Sequence, residues 1–246
     1  MTGLRRVSAL AVSGLMVVSG GAYAATVTGT EKPDKLLKGT DGPDRITGLG
    51  GDDFIVGLDG DDDLQGGDGS DEILGDGSCP GAQSSPTYCE VNSLSGADTI
   101  RGGNGNDEIA GQGDSDRILG DKGKDNLFGN TGSDRILGGL GNDRLWGDSG
   151  DDRLAGSSGD DRIAGGSGDD RIKGGSGRDG VTRGGSGDDR ISGGPGRDRI
   201  SGASGNDIIS ARGGGRDIIK CFSGTDRVTA DRFDRVSRDC ERVARR

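Results

Sequence analysis

The chain has 246 residues, of which 54 are glycine, 28% are hydrophobic and 3% are aromatic, and its formal net charge is −11. So little apolar material cannot fill an ordinary globular core, and so acidic a surface opposes unaided nucleic-acid binding. There is no histidine, which excludes histidine-dependent catalysis and histidine-ligated zinc.

Residues 1–24 read as an export signal. Arg5 and Arg6 precede an apolar run from Val7 to Val18, and Ala22-Tyr23-Ala24 supplies a small-x-small cleavage site. The run is too short for a membrane span. Cleavage after Ala24 removes two arginines and no acids, leaving −13. The general secretory route is the expected one. The twin-arginine route fits less well, because Ser8 and Ala9 follow the arginines. The destination is extracellular, and four cysteines in an exported chain predict two disulfides, Cys79–Cys89 and Cys221–Cys240 by proximity.

Residues 25–47 open a repeat with two degenerate copies, GTEKPDKLL and GTDGPDRIT, which read as an opening cap. From Gly48 the period locks at nine: GLGGDDFIV, GLDGDDDLQ, GGDGSDEIL. Residues 75–93 break the pattern as a loop closed by Cys79–Cys89. The sixth-position aspartates on either side, Asp71 and Asp98, stand 27 residues apart, three periods, so the frame should survive. The array then resumes and runs to residue 229. It is cleanest at GGLGNDRLW, GDSGDDRLA, GSSGDDRIA and GGSGDDRIK, residues 138–173. Extra residues near Arg183 and Ala211 are expected in turns, where insertion costs least. Residues 230–246 lose the glycines and read as a C-terminal cap over the last strand edge, held by Cys221–Cys240.

Within each phrase Gly-Gly-x-Gly-x-Asp is a turn, and the last three residues are a short strand whose eighth position points inward. Those inward positions, from Leu36 and Ile46 through Val181 to Val228, are aliphatic in all twenty repeats. One aliphatic per nine residues is a thin core, so a second stabilising term is required. The sixth position carries it: Asp34 in the opening copy, then Asp44, Asp53, Asp62, Asp71, Asp98, Asp107, Asp116, Asp125, Asp134, Asp143, Asp152, Asp161, Asp170, Asp179, Asp189, Asp198, Asp207, Asp217 and Asp226. Stacked carboxylates repel unless a hard cation lies between them, and glycine turns expose the carbonyls that calcium also accepts.

The nonapeptide Gly-Gly-x-Gly-x-Asp-x-(Ile/Leu)-x resembles the hemolysin-type calcium-binding, or repeats-in-toxin, motif. The resemblance covers essentially the whole chain after residue 24. It implies an all-β, right-handed parallel β-roll with two repeats per coil. Multiple calcium ions would lie between stacked turns, with Asp44 to Asp226 as the carboxylate ligands. Asp114 in place of the fourth-position glycine, Gly180 in place of a strand residue, and the glycine-poor CFSGTDRVT depart from the pattern.

Arginine recurs at the seventh position. Arg117, Arg135, Arg153, Arg171 and Arg190 would form one row, answered by Asp151, Asp160, Asp169 and Asp188 as a solvated mixed-charge face, or left free to dock an acidic polysaccharide. Gly147-Asp148-Ser149-Gly150 mimics a serine-protease nucleophile segment without any histidine to activate it. The run from Asp59 to Asp63 mimics an EF-hand start, but Leu64 and Ser70 stand where its glycine and glutamate belong. The expected function is therefore that of a secreted, monomeric calcium-binding module without enzymatic activity. An extracellular adhesin or glycan-binding protein is the alternative, and an acid-only polysaccharide-active enzyme is a third class with no candidate site.

Overall fold

A computed structural model describes residues 25–76, 96–180 and 182–245. The expected export signal and the Cys79–Cys89 loop lie outside these residues. The described residues form 23 strands and no helix, so none offers a helix long and apolar enough to cross a membrane.

Each strand pairs in parallel with the next but one, so alternate strands fall into two sheets, one of twelve strands and one of eleven. Arg135 stands opposite Arg153 in one sheet and Arg144 opposite Arg162 in the other. The coil is thus 18 residues, two nonapeptides. Twelve rungs at about 4.8 Å make a rod roughly 53 Å long. The fold is the β-roll that the resemblance implies.

The strands form where a single aliphatic is flanked by two outward residues. In Arg153–Ser158 the pattern is exposed Arg153, buried Leu154, half-buried Ala155. Inward residues stack in register from coil to coil. Ile118, Ile136, Leu154 and Ile172 are each at most 2% exposed in the larger sheet, as are Ile109, Leu127, Leu145 and Ile163 in the other. Glycine is required where coils touch. Gly150 has φ +130°, and a Cβ there would strike the carbonyl of Gly132 one coil below.

Across residues 77–95 the stacking continues without a shift: Leu64 pairs with Ile100 and Ile73 with Ile109, both 36 residues on instead of 18. The extra length equals one coil, so the flanking coils meet as neighbours.

The twenty inward aliphatics need correction at two places. Leu37, not Leu36, is buried opposite Ile55, because Asp34 and Asp44 are ten residues apart and the extra residue precedes the strand. Near Arg183 the extra residue is taken up between Gly180, whose N–H reaches the Asp161 carbonyl, and Thr182, which pairs with Ile200. The insertion therefore enters at the start of the strand, not in a turn. Thr182 fills the core position, and Val181 lies outside the described residues. The insertion near Ala211 does fall at the strand exit: Ala211 stacks under Ala230 while Gly213 already lies against Gly194.

The C-terminal segment builds the last rungs itself. Arg235–Val236 adds to the smaller sheet and Arg242–Arg245 to the larger, with the Cys221–Cys240 disulfide tying them to the preceding coil. The new edge strand is exposed along its length and bears Arg242 and Arg245, a charged edge that discourages further strand addition.

Candidate metal centres along the turns

The sixth-position aspartates stand in two columns, one along each line of turns. In each column the backbone N–H of one aspartate donates to Oδ1 of the aspartate one coil on. In one column Asp134 donates to Asp152 at 2.8 Å, Asp152 to Asp170 at 2.9 Å and Asp170 to Asp189 at 2.9 Å. In the other, Asp125 donates to Asp143 at 3.0 Å, Asp143 to Asp161 at 2.8 Å and Asp161 to Asp179 at 3.1 Å. The columns begin with Asp34 and Asp44, which donate to Asp53 and Asp62. They cross the 77–95 segment as Asp62 to Asp98 and Asp71 to Asp107. Asp98, Asp107 and Asp116 continue both columns. So do Asp179, Asp189, Asp198 and Asp207, which reach Asp217 and Asp226. All the aspartates expected as ligands, Asp44 to Asp226, belong to these columns and are buried.

The second carboxylate oxygen is different. Oδ2 of Asp152, Asp161, Asp170, Asp179 and most of their fellows is buried and accepts no hydrogen bond. It points at the first glycine of its own repeat, beside a carbonyl from the next coil. A Cβ on Gly147 would land on both Asp152 Oδ2 and the Gly165 carbonyl; on Gly156, on Asp161 Oδ2 and the Gly174 carbonyl. Two buried oxygens thus converge with no hydrogen between them. This is unfavourable unless a proton or a cation supplies positive charge.

The acidities reflect that placement. Burial pushes Asp98 up to about 9 and Asp116 to about 8. It pushes Asp62, Asp107, Asp152 and Asp189 to about 7. The backbone N–H from the coil below opposes the rise in each, and neighbouring carboxylates add to it.

Oxygen-only donors of this kind fit a hard divalent cation. Among the described residues no three acidic or cysteine side chains gather at one point. A cation here would accordingly draw on paired carboxylates of successive coils and on turn carbonyls, which is the donor set that glycine-rich turns expose.

Three acids join this lattice that the nine-residue rule does not assign. Asp217 donates to Asp234 Oδ1 at 3.0 Å and Asp226 to Glu241 Oε2 at 2.9 Å. Their signal was present in the sequence: Asp234-Arg235-Val236 and Glu241-Arg242-Val243 repeat the acid-Arg-Val register without the glycines. Asp76, fully buried at the second position of its repeat, adds a carboxylate near Asp98 and is itself pushed up to about 7 by burial. Asp114, the departure from the fourth-position glycine, sits at φ +62°, and Asp116 two residues on keeps its place in the column.

The fifth-position acids do not answer the arginine row. One oxygen of Asp151 takes the N–H of Asp169, one of Asp169 that of Asp188, and one of Asp160 that of Arg178, all at 2.7–2.8 Å. Among the described residues, none of Arg117, Arg135, Arg153, Arg171 and Arg190 comes within ion-pair distance of a carboxylate. The expected mixed-charge pairing is replaced by turn-to-turn bonding.

These features define a parallel β-solenoid whose turns carry two continuous carboxylate columns. The model of the RTX calcium-binding nonapeptide repeat matches residues 38–73, 93–127, 119–154, 128–163, 146–181 and 183–219. The chain belongs to that family, and it is a calcium-binding repeat protein. No curated protein matches the chain.

Proposed function

We propose that this is a secreted β-roll whose folding is driven by calcium, with a structural or interaction role outside the cell and no enzymatic activity of its own. The observation that carries the reading is the row of buried Oδ2 atoms facing carbonyl oxygens with no donor between them. Bound calcium supplies the positive charge that such a row requires. The chain's residues do the rest. Asp152, Asp170 and their column place carboxylates at coil spacing, the glycines let the carbonyls approach, and the aliphatic stack fixes the register. Unfolded turns hold no preformed site, so binding free energy becomes folding free energy. Low calcium inside the cell would keep the precursor extended for export, and the export signal at residues 1–24 supports that route.

The test is far-UV circular dichroism during a calcium titration, with magnesium as control. The β spectrum should develop at millimolar calcium and fail to develop with magnesium. A chelated chain at neutral pH that already shows the full β spectrum and a sharp melt refutes the reading. The absence of activity is checked with peptide, ester and glycoside substrates, on which turnover that one substitution abolishes would refute it.

A second reading, an extracellular adhesin or glycan-binding protein, is favoured by the arginine row, which finds no carboxylate partner among the described residues.

A further inference from the structure

The arginine row lies on the outer face of the twelve-strand sheet. Arg117, Arg135, Arg153, Arg171 and Arg190 stand directly opposite one another on five successive strands. All five are exposed. At strand spacing the row is straight, with a rung about every 4.8 Å and a length of roughly 19 Å. Like charges directly opposite one another in a sheet destabilise it, and among the described residues no acid forms an ion pair with this row. The equivalent row of the other sheet is mixed: Glu108, Asn126, Arg144 and Arg162 follow one another, and Arg144 spends a donor on Asn126.

The charge ledger points the same way. Of the chain's 42 acidic residues, 21 are aspartates buried along the turns; 21 acids then remain against the 29 lysines and arginines left once Arg5 and Arg6 go with the expected export signal. Once the buried columns are neutralised by a bound cation, the remaining charge is positive, although the sequence as a whole is strongly acidic. The folded, cation-filled roll and the extended chain therefore present opposite signs to a partner.

We propose that this arginine row is a docking surface for a linear acidic polysaccharide bearing carboxylates, and that only the calcium-filled roll presents it. The proposal deepens the glycan-binding reading and rests on calcium-driven folding. A guanidinium fork takes a carboxylate in bidentate fashion, and five forks at one spacing suit a ligand that is itself straight and periodic. The neighbouring outward row, Leu119, Leu137, Ala155, Lys173 and Ser192, has no aromatic platform on which bases would stack, which disfavours single-stranded nucleic acid. Leu137, 40% exposed, offers an apolar surface for a sugar-ring face, whereas Leu119 is buried. A shallow open groove on the same sheet, lined by Arg101 and Lys122 but also by Glu31, Asp68 and Asp121, holds none of the five arginines and is no part of the row.

The test uses the purified chain against immobilised hyaluronate, with neutral dextran and double-stranded DNA as comparators, in calcium and in chelator. Circular dichroism is recorded on the same samples, so that folding and binding are read separately. Hyaluronate should be retained in calcium, released by salt and lost in chelator, and dextran should not be retained. The triple variant Arg135→Gln, Arg153→Gln, Arg171→Gln should keep its calcium-induced β spectrum and bind roughly tenfold or more weakly. Lysine at the same three positions should restore only part of the binding. Arg144→Gln with Arg162→Gln, on the other sheet, should change nothing. A calcium-filled roll that ignores hyaluronate, a triple glutamine variant that binds as before, or DNA held as tightly as hyaluronate overturns the docking proposal. A chelated chain that is already folded and binds equally well overturns the calcium condition and, separately, the reading beneath it.

Discussion

Replacing Asp152 by alanine should destabilise the calcium-filled roll far more than replacing Asp34. Asp152 is fully buried in the middle of its column. Its Oδ1 accepts the Asp134 N–H at 2.8 Å, its own N–H donates to Asp170 at 2.9 Å, and its Oδ2 faces the Gly165 carbonyl. Asp152→Ala removes one charge-assisted hydrogen bond, leaves the Asp134 N–H buried without a partner, and takes a carboxylate from the turn. The first two losses together amount to about 2–3 kcal/mol. For a chain of this length that shifts the melting temperature by roughly 4–12 °C. Asp34 stands at the end of its column. It is half-buried, and its carboxylate takes the N–H of Thr30 within its own turn, with no coil below to rely on it. Its loss should cost less than about 1 kcal/mol. The assay is thermal unfolding by circular dichroism in saturating calcium, with a calcium titration of each variant. Equal shifts for the two variants, or none for Asp152→Ala, would refute the columnar account.

Other outcomes follow from the same geometry. Burial holds Asp62, Asp107, Asp152 and Asp189 of the folded chain near 7 and Asp98 near 9, all above the ordinary carboxylate range. Ionising them therefore opposes folding, and the penalty is absent below about pH 4 and full only above the folded values. Chelated protein should gain β structure as the pH falls from 8 toward 5, and a chelated spectrum that is flat across that window would contradict this. The Thr182 hydroxyl is buried in the aliphatic stack without a hydrogen-bond partner. Thr182→Val should therefore raise stability by about 1–2 kcal/mol in a urea titration, and a loss would show that the hydroxyl is satisfied. Cys221 and Cys240 close a segment of 19 residues at the end of the rod. Cys240→Ser should cost roughly 3 kcal/mol and expose the last coils to proteolysis before the middle ones. Peptide mapping should also find Cys79 joined to Cys89, and pairing across the two regions would refute that assignment.

The sequence by itself determined the period, the direction most side chains face, and the chemistry of the turns. A nine-residue phrase with glycines at its turn positions, one aspartate and one aliphatic marks Leu145 and Ile163 as inward, and the family resemblance, with two phrases to a coil, lines up Asp152 with Asp170. Local repetition writes the long-range contacts, because each coil meets only its neighbours. Even the 27-residue gap between Asp71 and Asp98 announced that the frame would hold. The tertiary structure decided what depends on how whole coils stack. Thr182 took a core place, buried and paired with Ile200, where the phrase calls for an aliphatic. Asp234 and Glu241 entered the columns because the last strands stack on Ile218–Ile219 and Arg227–Ala230, and the glycine pattern that marks a turn is absent there. The fifth-position acids turned to the N–H groups of the next coil rather than to the arginines, because a fixed backbone donor at 2.7–2.8 Å is a nearer partner than a solvated guanidinium. That choice, invisible in a list of charges, is what leaves the arginine row unanswered.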